Sequence, residues 1–152
     1  MEIGNTLPNL TLPATGDKMI SLPDLVGHNV VFYFYPKDDT PGCTQEGQDF
    51  RDHYEAFKAT DTLIFGISRD SVKAHEKFQA KYNFPFDLLS DQDQQLCQLF
   101  DVLKFKNMFG KQVKVVERST FLFDYNGKLR QIWRNIKVSK HVEQVLETIK
   151  GL

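Results

Sequence analysis

The sequence predicts an α/β sandwich whose central strands are parallel, and three observations carry that reading. Val30-Val31-Phe32-Tyr33-Phe34-Tyr35 is an unbroken β-branched and aromatic run stopped by Pro36, the pattern of a strand covered on both faces in a parallel sheet. Leu63-Ile64-Phe65-Gly66-Ile67-Ser68 reads as a second buried strand. Between the two, Phe50, Tyr54 and Phe57 recur at i, i+4 and i+7, one face of a helix from Thr44 to about Lys58. Strand, helix and strand form a βαβ unit, which crosses over right-handed. Near the other end, Thr120 to Asp124 and Leu129 to Arg134 flank Asn126-Gly127, the strongest short hairpin signal, so the last strand pair is antiparallel.

The remaining elements follow in order. Thr11 to Ala14 and Met19 to Leu22 around Gly16-Asp17 predict an N-terminal hairpin. Ser71 to Tyr82 predicts a helix with Ser68 or Asp70 as N-cap, ended before Phe84-Pro85. Phe86 to Leu89 is a short strand, and Ser90 to Asp93 offer caps for a helix reaching about Phe100. Asp101 to Val116 is mixed, basic and glycine-containing, and reads as a loop. His141 to Ile149 closes as a helix with Val142, Val145, Leu146 and Ile149 on one face. There is no internal repeat and no break in composition, so residues 1–152 are expected to form a single domain.

Nineteen basic and twenty acidic side chains nearly cancel, which gives no global field for nucleic acid or an anionic membrane. No apolar run approaches the roughly 20 residues that span a bilayer, and the first residues carry no secretory signal. Two cysteines 54 positions apart suggest a reducing compartment rather than a disulfide scaffold, so the expected location is cytoplasmic. The four histidines are too scattered for a zinc or copper site and are expected to be solvated or locally hydrogen-bonded. Asp91 and Asp93 read as helix-capping carboxylates. No phosphate-binding glycine motif is present, so nucleotide binding has no support, and the lack of a C-x-x-C argues against a thioredoxin-type dithiol oxidoreductase; neither a cofactor nor a metal is expected. Lys104, Lys106, Lys111 and Lys114, with Phe105 and Phe109 among them, are expected to lie in a solvated loop.

One cysteine stands apart. Cys43 falls where the strand ending at Tyr35 gives way to a Pro/Gly loop and a helix begins. Free N–H groups and the positive end of the helix dipole meet there and favour a thiolate over a thiol. Pro36, Thr40 and Cys43 make the spacing P-x-x-x-T-x-x-C. Pro36 stops the strand, Pro41-Gly42 lets backbone approach a ligand closely, and Thr40 offers a hydroxyl that both donates and accepts.

This segment resembles the active-site loop of the peroxiredoxins. Thr40-Pro41-Gly42-Cys43-Thr44-Gln45-Glu46 with Phe50-Arg51-Asp52 is similar to the bacterioferritin comigratory protein, or peroxiredoxin Q, subfamily. The likeness continues through Phe65 to Asp70, Leu89-Ser90-Asp91, Cys97 to Phe100, and Arg118-Ser119-Thr120-Phe121-Leu122, covering nearly the whole chain. It implies a thioredoxin-like fold with an N-terminal β-hairpin extension and a mixed central sheet flanked by helices. It further implies a thiol-dependent peroxidase in which Cys43 attacks a hydroperoxide and becomes a sulfenic acid. Thr40 would position the peroxide, Pro36 would shield the pocket, and Arg118 would lie beside the thiolate. Glu46 and Gly42 take supporting places. The implied partners are the hydroperoxide and a reductant such as thioredoxin, glutaredoxin or glutathione, with the chain a monomer or weak dimer.

The chain also departs from the family. Gln48 stands where many members carry a resolving cysteine, and the region of Phe78 and Gln79 holds none either. Cys97 is the only other thiol. It reads either as a small buried helix residue or as an atypical resolving cysteine, the second needing the two Cα atoms within about 7 Å. External reduction of a one-cysteine enzyme is the expectation. A thioredoxin-fold binding protein without turnover is the alternative from another class.

Overall fold

The computed structural model describes residues 1–152. A seven-stranded mixed sheet forms the centre, in the order β2-β1-β5-β4-β3-β8-β9. Its strands are β1 (Thr11–Ala14), β2 (Lys18–Ser21), β3 (Asn29–Phe34), β4 (Thr62–Ser68), β5 (Asp87–Ser90), β8 (Ser119–Phe123) and β9 (Leu129–Trp133). β3, β4 and β5 run parallel, while β8 joins β3 antiparallel and pairs Phe32 with Phe121. The β1–β2 hairpin adds to the far edge through Ala14 opposite Leu89. Five helices connect and cover the strands: α1 (Pro41–Asp52), α2 (Tyr54–Ala59), α3 (Val72–Tyr82), α4 (Gln95–Leu99) and α5 (His141–Lys150). None is long and apolar enough to cross a membrane.

The period of two along β3 divides the interior. Val30, Phe32 and Phe34 pack with Leu96, Cys97, Phe100 and Phe121 on one face of the sheet. Val31, Tyr33 and Tyr35 pack with Cys43, Phe50, Phe78 and Val145 on the other. Every residue of β3 is buried, in agreement with a strand covered on both sides.

The structure corrects several expectations. The helix expected from Thr44 to Lys58 begins at Pro41 and breaks at His53 (φ −100°, ψ 8°) into α1 and α2. Proline at the first helical position has no N–H to leave unpaired, so the helix starts earlier than its apolar face does. The N-cap of α3 is Ser71, whose Oγ accepts from the Ala74 N–H at 3.1 Å, not Ser68 or Asp70. α4 is shorter than expected, and Asp91 accepts from the Leu96 and Cys97 N–H groups at 3.1 and 2.8 Å.

The largest correction lies at Asp101 to Val116, which is not a loop. It forms the antiparallel hairpin β6 (Leu103–Met108) and β7 (Lys111–Val116), outside the main sheet. Phe109 and Gly110 make its turn, both with positive φ of 53° and 77°, as a two-residue hairpin turn of the twist-matched type requires. Phenylalanine is an uncommon residue for that conformation, which is why the turn left no signature.

Candidate active site

The chain leaves β3 at Phe34, and Pro36 turns it into the loop that leads to α1. Thr40 is the N-cap in extended conformation (φ −94°, ψ 156°), and its carbonyl accepts from the Thr44 N–H at 2.8 Å. Its hydroxyl does not cap the helix; it donates to the Lys37 carbonyl at 2.8 Å. With that hydrogen committed, the Thr40 oxygen faces any further partner as an acceptor. Gly42 and Cys43 occupy the first helical turn, where backbone N–H groups have no acceptor within the helix.

Cys43 is 1% exposed. Arg118, just before β8, points one guanidinium nitrogen at its sulfur, with Nη2 3.4 Å from Sγ. The other, Nη1, donates to Glu46 Oε1 at 2.8 Å. One arginine therefore serves two groups lying one helical turn apart on α1. A Cβ on residue 42 would stand 3.0 Å from that same Nη2, so glycine there leaves the guanidinium its place.

Glu46 is fully buried and its Oε2 has no partner in the protein. Burial pushes its carboxyl up to about 7, with the Arg118 charge opposing that shift. His141 lies buried with Nε2 2.9 Å from Thr120 Oγ1. Burial, helped by the Arg118 charge, lowers it to about 4, so this imidazole is neutral at pH 7.

A second network holds the loop itself. His75 on α3 is fully buried, with Nε2 donating to the Leu89 carbonyl at 2.9 Å and Nδ1 2.7 Å from Asp38 Oδ2. Asp38 also accepts from the Tyr35 hydroxyl at 2.6 Å, and its N–H donates to Asp70 Oδ2 at 2.9 Å. Ser68 Oγ donates to the same Asp70 oxygen at 2.6 Å. Both ring nitrogens of His75 are thus held by oxygen partners. These partners lie 2 to 37 positions apart, and no local pattern announces the long-range ones. The expectation that the histidines are solvated or locally bonded fails for His75 and His141.

The structure brings Cys43, Thr40, Gly42, Glu46, Pro36 and Arg118 to one end of β3. A cavity of about 480 Å³ opens beside them, lined by Pro36 and Arg118 together with Lys104, Phe105, Met108 and Val116 of the β6–β7 hairpin. Cys97 is not brought there. It is fully buried in the apolar cluster on the opposite face of the sheet. Burial, and after it the neighbouring Asp91 carboxylate, hold its thiol far above the ordinary range, fully protonated.

Known proteins match this architecture closely. The AhpC/TSA family matches residues 3–132. Peroxiredoxin Bcp of Bacillus subtilis is 47% identical over 152 residues, covering 100% of this chain and 97% of its own length. Peroxiredoxin Bcp of Xanthomonas campestris is 49% identical over 151 residues, 99% and 94% of the two chains. A solved structure of the Xanthomonas campestris bacterioferritin comigratory protein, studied for alkyl peroxide reduction, superposes with a TM-score of 0.92 at 46% identity, covering 99% of this chain and 98% of that one. A cysteine-to-serine mutant of Xylella fastidiosa PrxQ gives 0.94 at 42% identity, covering 99% and 96%. A buried thiol under an arginine, on a thioredoxin-like sheet shared with such relatives from end to end, leads to one assignment: the chain belongs to the AhpC/TSA family and is a peroxiredoxin of the Bcp, or peroxiredoxin Q, type.

Proposed function

We propose that Cys43 is the peroxidatic nucleophile and that the oxidised enzyme is restored by a thiol from outside the chain. The observation that carries the first half is the Arg118 guanidinium, 3.4 Å from the sulfur and ion-paired to Glu46 on its other edge. Fixed between two acceptors, it presents positive charge to the thiolate and to the oxygen that leaves it. The sulfur attacks the terminal oxygen of the hydroperoxide, an S–O bond forms as the O–O bond breaks, and the second oxygen departs with a proton as alcohol or water. The Thr40 oxygen, its own hydrogen held by Lys37, accepts a hydrogen bond from the peroxide hydroxyl. The N–H groups of Gly42 and Cys43 offer donors to the same substrate. Alkyl hydroperoxides as well as hydrogen peroxide are the proposed substrates, in keeping with the alkyl peroxide reduction studied in the Xanthomonas relative.

External reduction is supported by the placement of Cys97 across the sheet, with the side chains of β3 between the two thiols. Their union would need the fold to part, since a disulfide holds its Cα atoms within about 7 Å. Two equivalents of an external thiol then return the sulfenic acid to thiol, releasing water and a disulfide. Thioredoxin, glutaredoxin and glutathione are the candidate donors, and a cytoplasmic setting suits a cycle that consumes thiols.

Mass spectrometry of the peroxide-treated protein tests both halves. The expected species is a sulfenic acid on Cys43, trapped by dimedone, in wild type and Cys97→Ser alike, with turnover abolished in Cys43→Ser. A Cys43–Cys97 disulfide at stoichiometric yield would overturn external reduction, and peroxide consumption surviving in Cys43→Ser would overturn the whole reading.

A further inference from the structure

The β6–β7 hairpin has no place in the central sheet, yet it forms a wall of the cavity beside Cys43. Its register sets Lys104 opposite Val115, Lys106 opposite Val113, and Met108 opposite Lys111. Because side chains alternate along each strand, these six residues share one face. That face is an apolar strip of Met108, Val113 and Val115 edged by three lysines. Residues 102–116 contain no acidic side chain; of the flanking carboxylates, Asp101 lies 3.5 Å from Lys104 and Glu117 lines the cavity, so Lys106 and Lys111 carry the unpaired charge of this face. At the tip, Phe109 is 99% exposed with φ 53°, a large aromatic held in water in a backbone conformation that costs free energy. Such costs persist where something else selects the residue.

We infer that this face and its Phe109 tip are the docking surface for the reductant, a small protein dithiol whose reactive cysteine sits within an apolar patch rimmed by carboxylates. The inference rests on the external-thiol reading above. The cavity shared by Pro36, Arg118 and the hairpin adjoins the sulfur through Arg118, whose Nη2 is 3.4 Å from Cys43 Sγ, so a partner reaching Cys43 from that side meets the hairpin wall. The six-residue strands extend roughly 20 Å, longer than a tripeptide thiol covers, and this favours a protein. Lysine rims complement a carboxylate rim, steer its approach and make the encounter sensitive to salt. The exposed aromatic is the kind of side chain that anchors an interface.

The test uses full-length Lys111→Glu, Phe109→Ser and, as a charge control, Lys150→Glu, which lies with Asn29 at the opposite end of β3. Cys43 is first oxidised with one equivalent of hydrogen peroxide and the sulfenic acid quantified. Failure of that step in wild type would sink the peroxidatic reading and not the docking surface. Reduction is then timed with an acidic thioredoxin and, separately, with dithiothreitol. Expected is a slowing with thioredoxin of about tenfold for Lys111→Glu and several-fold for Phe109→Ser. The salt dependence should be weakened in Lys111→Glu, Lys150→Glu should match wild type, and all rates with dithiothreitol should agree within twofold. Equal effects on both reductants, or on neither, would overturn the inference. So would a defect confined to binding of anionic phospholipid vesicles, or one that tracked loss of self-association in sedimentation.

Discussion

His75 holds Asp38 by a 2.7 Å hydrogen bond inside the protein, and through Asp38 it holds the loop that delivers Thr40 and Cys43. The ring is fully buried and the carboxylate almost so. Removing the ring leaves buried hydrogen-bonding partners unsatisfied, at a cost of about 2 kcal/mol. His75→Gln should lower the free energy of unfolding in urea by roughly that amount. It should also slow oxidation of Cys43 by peroxide, since Tyr35 and Asp38 lose their common anchor. Unchanged urea midpoint and oxidation rate would show that the loop is held elsewhere.

Glu46 and His141 should impose opposite pH dependences on stability. Glu46 moves from 4.5 to about 7 on folding, so the folded chain holds the extra proton between those values and stability falls as pH rises through them. His141 moves from 6.5 to about 4, so the unfolded chain holds the extra proton and stability rises with pH. In wild type the two slopes oppose each other between pH 4.5 and 6.5. Glu46→Gln should leave a rise, and His141→Gln a fall, each on the order of 2 kcal/mol across that window. Parallel profiles for wild type and both variants, measured by chemical denaturation, would contradict this assignment.

Arg118 should not be replaceable by lysine. A single ammonium cannot reach Cys43 and Glu46 in the forked geometry that Nη1 and Nη2 provide. Arg118→Lys should reduce the second-order rate of Cys43 oxidation by about 100-fold. Gly42→Ala, whose methyl would lie 3.0 Å from Nη2, should give a smaller loss by displacing the guanidinium. Stopped-flow peroxide consumption checks the order wild type, Gly42→Ala, Arg118→Lys.

Gly47 lies where α1 meets the Phe84 ring, and a Cβ there would come within 2.5 Å of Cζ. Gly47→Ala should therefore destabilise despite the better helix propensity of alanine, by about 1–2 kcal/mol net. Phe84→Leu in the same background should recover part of the loss. A more stable Gly47→Ala protein in urea titration would show that Phe84 yields freely.

The sequence was most legible where chemistry and local pattern coincide. The buried strand from Val30, the Pro/Gly approach to α1 and the Asn126-Gly127 turn were readable because each depends on neighbours in the chain. Arg118 came from resemblance alone, since nothing local separates an arginine before a strand from a solvated one. The His75–Asp38–Tyr35 network was not readable, because hydrogen-bond partners contributed by a strand end, a loop and a helix leave no periodic mark. The β6–β7 hairpin was missed for a different reason. Val113 and Val115 do alternate with polar residues, but the lysines and the unusual Phe109-Gly110 turn masked two strands that bury little.

The alternation along β3 has a consequence in time as well as in space. With the chain's second thiol beyond the sheet, an oxidised Cys43 on the external-reduction reading has no internal clock and must wait for a collision. The length of that wait is set by the concentration of reductant in the surroundings. During it a second peroxide competes for the same sulfur, and a further oxidation to the sulfinic acid takes the molecule out of the cycle. Such an enzyme works as a fuse: it turns over while thiols are plentiful and burns out when peroxide outruns them.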